Sequence, residues 1–181
     1  MNLNNNMKSF KTITEAYADR YIDKQVLSKI IDLLKNALKE ELNAWYGYLI
    51  VKEFLSGTDR SDIMKMYEDT AKDELEDHGY WLIKRINELG GTLDDLSLSP
   101  ASWVNSTHPY VAPKWKGDIV PIKESLELNI QNELGAIESY KEIIELTKDV
   151  DYTTHSKCKQ ILADEEEHLQ LLKEFLDDIK N

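Results

Sequence analysis

Apolar side chains recur at every third or fourth position along most of the chain, and no segment keeps the two-residue alternation of a strand. This period predicts four long amphipathic helices, at about 24–55, 60–89, 121–148 and 154–179, with a short extra helical turn at 12–20. Asp23 is placed to cap the first, Asp59 or Ser61 the second, and Pro121 suits the first turn of the third. Gly90 stops the second helix. Three of the 7 glycines and all 4 prolines fall between 90 and 121, as Gly90-Gly91, Pro100, Pro109, Pro113, Gly117 and Pro121, so that stretch is read as a connection.

Connection lengths then set the topology. The links near 56–60 and 148–154 are short, so each joins two antiparallel helices. The crossover at about 90–120 is long enough to run back beside a helix of about 45 Å. The expectation is an all-α four-helix bundle, two antiparallel hairpins joined by one long crossover, over residues 23–181, preceded by an N-terminal extension at 1–22.

Each apolar stripe is broken at one level only. In the first helix Val26, Ile30, Leu33 and Ala37 lead to Glu41, and Ala44, Tyr48, Val51 and Leu55 follow. The second runs through Ile63, Tyr67 and Ala71 to Glu74 and His78, then resumes at Leu82 and Ile86. The third is interrupted by Glu133, the fourth by Glu165 and His168. A carboxylate in a core costs several kcal/mol unless it is paired or bound to a cation. Four at one level, with two imidazoles and no central Lys or Arg, cannot pair with each other. They make the ligand set of a two-metal site in a bundle, and the mixture of oxygen and imidazole suits iron or manganese. Glu40, flanked by Asn36, Asn43 and Gly47, is read as the outer member of its pair, and Glu166 and Glu167 as solvated.

The two halves also repeat. Glu41 to Tyr48 and Glu133 to Tyr140 share Glu-Leu-x-Ala-x-x-x-Tyr, and the next metal-type Glu follows 33 residues after Glu41 and 32 after Glu133. Tyr48 and Tyr140 are either core aromatics or partners of the ligands. Trp45 and Trp81 are read as packing residues, Cys158 as a small core residue, and His108 and His155 lie near loops.

Composition narrows the function class. With 34 acidic and 22 basic side chains the 181-residue chain has a formal charge of −12, which attracts cations and opposes DNA binding through phosphate. One Cys excludes a disulfide framework within a chain. No apolar run approaches the ~20 residues of a membrane span, and the segment MNLNNNMKSFK lacks the apolar stretch of a secretory signal. The expected setting is the cytoplasm, with no membrane partner.

Four segments resemble the ferritin-like di-iron superfamily, in its bacterioferritin and Dps-like branch. They are ELNAWYGY at Glu41, DELEDHGYWLIKRINELGG with Glu74 and His78, ELGAIESY at Glu133, and ILADEEEHLQLL with Glu165 and His168, within residues 24–180. PKWKGD adds to the likeness to Dps-like ferritins. The resemblance implies a ferroxidase that oxidises Fe(II) with hydrogen peroxide or O2 and stores ferric mineral in a shell. Two iron ions per subunit are expected, with manganese as the other metal. Glu41 with His78, and Glu133 with His168, would each hold one ion, and Glu74 and Glu165 would bridge. Three departures stand out. His78 follows Glu74 by four residues where bacterioferritin has three, so Asp77 competes with it. Gly135 stands where many relatives place a thiol, and Leu75 offers no sulfur for haem, so no haem is expected. The chain given stops at Asn181, just after the fourth helix, which favours a twelve-subunit shell over 24 subunits. Trp103, Tyr110, Val111 and Trp115 are expected to pack on the bundle or on a neighbour. The alternative is a di-metal peroxidase or catalase without storage, manganese-catalase-like or rubrerythrin-like, acting as a small oligomer.

Overall fold

The computed structural model of the protein describes residues 21–94, 96 and 119–180. The short turn at 12–20, His108 and the crossover aromatics Trp103, Tyr110 and Trp115, with Val111, lie outside the described residues. Helix α1 (Lys24–Phe54) is followed by the two-residue strand β1 (Leu55–Ser56) and helix α2 (Arg60–Asp73). A π-helical turn (Glu74–Gly79) leads without interruption into α3 (Tyr80–Glu88). After the crossover come β2 (Val120–Pro121), α4 (Ile122–Thr147) and α5 (Tyr152–Lys180). The rod made by α2, the π turn and α3 corresponds to the second helix of the sequence pattern, so this is the expected four-helix bundle.

Local chemistry sets the ends. Asp23 accepts from the backbone amides of Gln25 and Val26, which satisfies two of the donors that open α1. Asp59 precedes α2 but makes no side-chain cap bond. Beyond α3, Gly90 takes a φ of 82°, and the amides of Gly90 and Gly91 close onto the carbonyls of Asn87 and Ile86. That is the pair of bonds by which a left-handed glycine terminates a helix. At the other hairpin Asp151 accepts from the Thr154 amide, capping α5, and takes two bonds from the Arg85 guanidinium at 2.8 and 2.9 Å.

The strands pair in parallel, Leu55 with Val120 and Ser56 with Pro121. The pairing sets the end of α1 beside the start of α4.

Two apolar clusters fill the bundle. One gathers Leu27, Ile30, Leu34, Leu38, Leu82, Ile86, Tyr140, Ile143 and Ile161, with Cys158 among them. The other gathers Tyr48, Val51, Leu55, Ile63, Tyr67, Leu126, Leu172 and Leu176. The first stripe of α1 is centred one residue further on than its pattern predicts: Leu27 and Leu34 are buried where Val26 and Leu33 are half-buried. A polar layer separates the clusters.

Candidate metal centre

The polar layer is built by one turn from each rod. Glu41 comes from α1, Glu74 and His78 from the π turn, Glu133 from α4, and Glu165 and His168 from α5. All six are buried, with relative exposures from 0% for His78 to 6% for His168. Ligand atoms of Glu41, Glu74, His78 and Glu165 lie within 4.8 Å of one another, and so do those of Glu74, Glu133, Glu165 and His168. Glu74 and Glu165 belong to both groups. The six residues assigned to the two-metal set in the sequence are therefore brought to this one layer.

The π turn explains the irregular spacing. Within it the Tyr80 amide reaches back five residues to the Leu75 carbonyl, so the turn holds one residue more than an α turn. His78 Nδ1 then lies 3.1 Å from Glu74 Oε2, and His168 Nδ1, on an ordinary α-helix, 3.3 Å from Glu165 Oε2. Four residues in one rod do what three do in the other. Asp77 is set on the outside, where Lys157 Nζ approaches its two oxygens at 2.7 and 3.0 Å.

The layer does not satisfy itself. His78 Nδ1 faces three carboxylates at once, Glu74 at 3.1 Å, Glu165 at 3.2 Å and Glu41 at 3.4 Å, yet it has one proton to share. Glu74 Oε1 and Glu165 Oε1 are buried without a hydrogen-bond partner. Burial, together with the charges of Glu165 and Glu74, holds Glu41 and Glu133 well above the usual carboxylate range. Burial alone would raise Glu74 as well, but its contacts with His168 and His78 hold it below its ordinary value. At the imidazoles the carboxylates overcome burial, Glu41, Glu165 and Glu74 raising His78, and Glu165 and Glu74 pushing His168 up to about 12. Cations entering such a layer would displace the protons that these shifts favour. Orphaned carboxylate oxygens between two imidazole nitrogens fit a pair of oxygen- and nitrogen-seeking cations such as iron or manganese.

The tyrosines connect the halves crosswise. Tyr48 of α1 donates to Glu133 of α4, and Tyr140 of α4 donates to Glu41 of α1. Burial comes first among the causes that keep both phenols protonated, and the facing carboxylates add to it. They are partners of the layer rather than mere filling, although Tyr48 also packs edge-on against Tyr67 at 4.8 Å. Glu40 departs from expectation. It lies outside both ligand groups but is buried at 9% exposure, accepting a hydrogen bond from the Ser139 hydroxyl at 3.1 Å. Its small polar neighbours on α1 hid the fact that α4 covers it.

Other candidates stand apart from the layer. His155 donates through Nδ1 to the Ile144 carbonyl at 3.0 Å, tying the second hairpin. Burial pushes the Cys158 thiol up to about 12, so it is inert packing. Trp45 and Trp81 are half-buried against the two apolar clusters. A cleft of about 600 Å³ opens over the outer edges of His78 and His168, lined by Asp62, Asp69, Asp73, Asp77, Asp164 and Glu167 with Lys65. Apart from Asp77, sequence reasoning missed these aspartates because each looks like an ordinary solvated helix residue. Among the described residues, no helix is long and apolar enough to cross a membrane.

Comparison with known proteins places this architecture. The DNA protection during starvation protein of Pyrococcus furiosus is 28% identical over 150 residues, 83% of this chain and 78% of that one. A dodecameric thioferritin, the bacterioferritin-related protein of Bacteroides fragilis, superposes with a TM-score of 0.78 at 33% identity, covering 90% of this chain and 91% of its own. A ferritin-like, diiron-carboxylate protein of Bacillus anthracis gives a TM-score of 0.66 at 26% identity, covering 83% and 97%. The ferritin-like domain family matches residues 31–181, and by that match the chain belongs to the ferritin-like family.

Proposed function

We propose that the protein is a ferroxidase that consumes oxidant and stores iron. The observation that carries this reading is the pair of overlapping ligand groups sharing Glu74 and Glu165. Fe(II) is the substrate: two ions bound side by side supply the two electrons that reduce one hydrogen peroxide, with two protons, to two waters. Glu41 and His78 would hold one ion, Glu133 and His168 the other, with Glu74 and Glu165 between them. Tyr48 and Tyr140 orient the terminal carboxylates Glu133 and Glu41 by donating to one oxygen of each. The two apolar clusters exclude water from both ends of the layer. The protons held by the metal-free layer leave as the cations enter. The acidic cleft over the imidazoles attracts cations towards it. The reading assigns no haem, since Leu75 has no donor atom.

Storage requires a closed shell, because one bundle encloses nothing. A dodecamer is supported by the 33% identity to the dodecameric thioferritin. DNA binding forms no part of the reading, because a charge of −12 repels phosphate. The test combines anaerobic Fe(II) titration, oxidation by hydrogen peroxide or O2, and light scattering. The expected result is two Fe(II) bound per chain, rapid oxidation, a ferric core, and a particle of about 250 kDa. A dimer near 42 kDa that holds manganese and forms no mineral would overturn storage and leave the di-metal peroxidase or catalase.

A further inference from the structure

We infer that Tyr67, held by Ser125 and Asn129, is a positioning residue for Glu133, so that the metal position beside His168 fills before the one beside His78. The inference rests on the two-metal reading and deepens it. Tyr48 donates to Glu133, and the fully buried Tyr67 ring packs edge-on against Tyr48 with 4.8 Å between centroids. The Tyr67 hydroxyl lies 2.8 Å from Ser125 Oγ, and the Asn129 side chain bonds to it as well. Ser125 and Asn129 are themselves buried, and they stand eight and four residues before Glu133 on α4. The contacts close a circuit, from Glu133 on α4 to Tyr48 on α1, on to Tyr67 on α2, and back to α4.

The half that orients Glu41 is built differently. By the internal repeat Tyr140 is the counterpart of Tyr48, each seven residues after its Glu. Tyr67 and Cys158 are counterparts too, each seven residues before a shared Glu and so about two helical turns from it. The counterparts of Ser125 and Asn129, eight and four residues before Glu41, are Leu33 and Ala37. Tyr140, Cys158 and Ala37 lie in one apolar cluster, with Leu33 packed against it. Tyr140 therefore reaches Glu41 from apolar surroundings, whereas Tyr48 is backed by a ring tied to two polar side chains. A phenol that cannot turn fixes the oxygen it donates to. A carboxylate fixed before the cation arrives gives up less rotamer freedom on binding. The position formed by Glu133 and His168 is accordingly the better prepared of the two.

The test uses the full chain and cobalt(II). Crystals grown with one cobalt(II) per chain are measured by anomalous scattering, which reads the occupancy beside His78 and beside His168 separately. Solution titration of the cobalt(II) absorption gives the affinities. In the wild type the position beside His168 is expected to hold about 2–10-fold more metal than the other. Tyr67→Leu should bring that ratio close to one by weakening the position beside His168, with the affinity beside His78 unchanged. Tyr67→Phe and Ser125→Ala keep the ring and remove the tie, so both should fall between. These two remove few atoms and carry the test if Tyr67→Leu does not fold. Cys158→Ala, at the counterpart position, should leave the ratio as in the wild type, and melting of the metal-free variants reads any general loss of stability. A fall in the ratio with Cys158→Ala as large as with Tyr67→Leu or Tyr67→Phe would reduce the effect to core packing and overturn the inference. A preference that survives in every Tyr67 and Ser125 variant overturns it as well. Two positions that fill equally in the wild type, or a first ion beside His78, overturn this inference alone. A wild type that takes up no cobalt overturns the two-metal reading and this inference with it.

Discussion

The two Glu-and-His turns of this bundle reach the same result by different backbone routes. In α5, Glu165 and His168 are three apart on an unbroken α-helix. In the other hairpin, Glu74 and His78 are four apart, and the backbone widens to a π turn that absorbs the additional residue. The imidazole-to-carboxylate distances, 3.3 and 3.1 Å, are nearly equal. What the two halves share is the placement of side chains in the layer, and the backbone adjusts to deliver it. Gly79 suits that adjustment: a Cβ there would come within 3.0 Å of the Glu74 carbonyl oxygen. The hairpin links differ too. Asp151 caps α5 and binds Arg85, whereas Asp59 makes no cap bond.

The equivalence of the shared carboxylates gives the largest expected effect. Glu74→Ala and Glu165→Ala should each abolish paired Fe(II) binding, slowing oxidation by more than the ~10–100-fold that loss of an outer partner costs. Stopped-flow absorbance and metal analysis would read this. A large loss in one variant beside a mild one in the other would break the symmetry.

The contrast between the links comes next. Asp151→Ala removes a helix cap and leaves the largely buried Arg85 to Thr154 and the exposed Glu88, so a loss of about 1–3 kcal/mol is expected in metal-free denaturation. Asp59→Ala should change stability by less than about 0.5 kcal/mol. The same contrast has a pH signature. Burial opposes it, but bonds from Thr154 and Arg85 hold the Asp151 carboxyl below its ordinary 3.8. Its contribution is therefore complete above that value and lost as pH falls through the lowered folded value. Subtracting the Asp151→Ala melting profile from that of the wild type should show a difference that shrinks only below about pH 4.

The glycine of the π turn gives a smaller effect. Ala in place of Gly in an ordinary helix interior gains about 1 kcal/mol. At Gly79 the close Glu74 carbonyl should cancel that gain, so Gly79→Ala is expected to leave the melting temperature unchanged or lower it. A rise would show that the turn does not need its glycine.

Deleting Glu76 should have the least effect and sharpen the comparison most. Glu76 is exposed, and its removal lets the π turn close as an α turn with both flanks in register. The spacing then becomes that of Glu165 and His168. Cobalt(II) titration should still show two ions per chain. Loss of the ion beside His78 would mean that the wide turn itself orients the ring.

Much of this was legible without coordinates. Helix positions follow from the recurrence of apolar residues, and the hairpins follow from two short links and one long crossover. Glu41, Glu74, Glu133, Glu165 and both imidazoles announced themselves as breaks in apolar stripes, because a stripe position is a core position whatever residue occupies it. Asp23 and Gly90 acted as their types dictate, since caps are local chemistry. The π turn was not legible. An α reading leaves Glu74 and His78 on one face with Asp77 as a rival, and only the cost of misplacing the layer decides for the wider turn. The burial of Glu40 under Ser139, and the crossing of Tyr48 to Glu133 and Tyr140 to Glu41, join residues 85 or more positions apart. Such pairings depend on how helices rotate against each other. By itself the amino-acid order determined which residues must leave water and at what level along each helix, because burial follows a local period. Tertiary packing alone decided which of them meet, which way the rings face, and where the backbone had to yield.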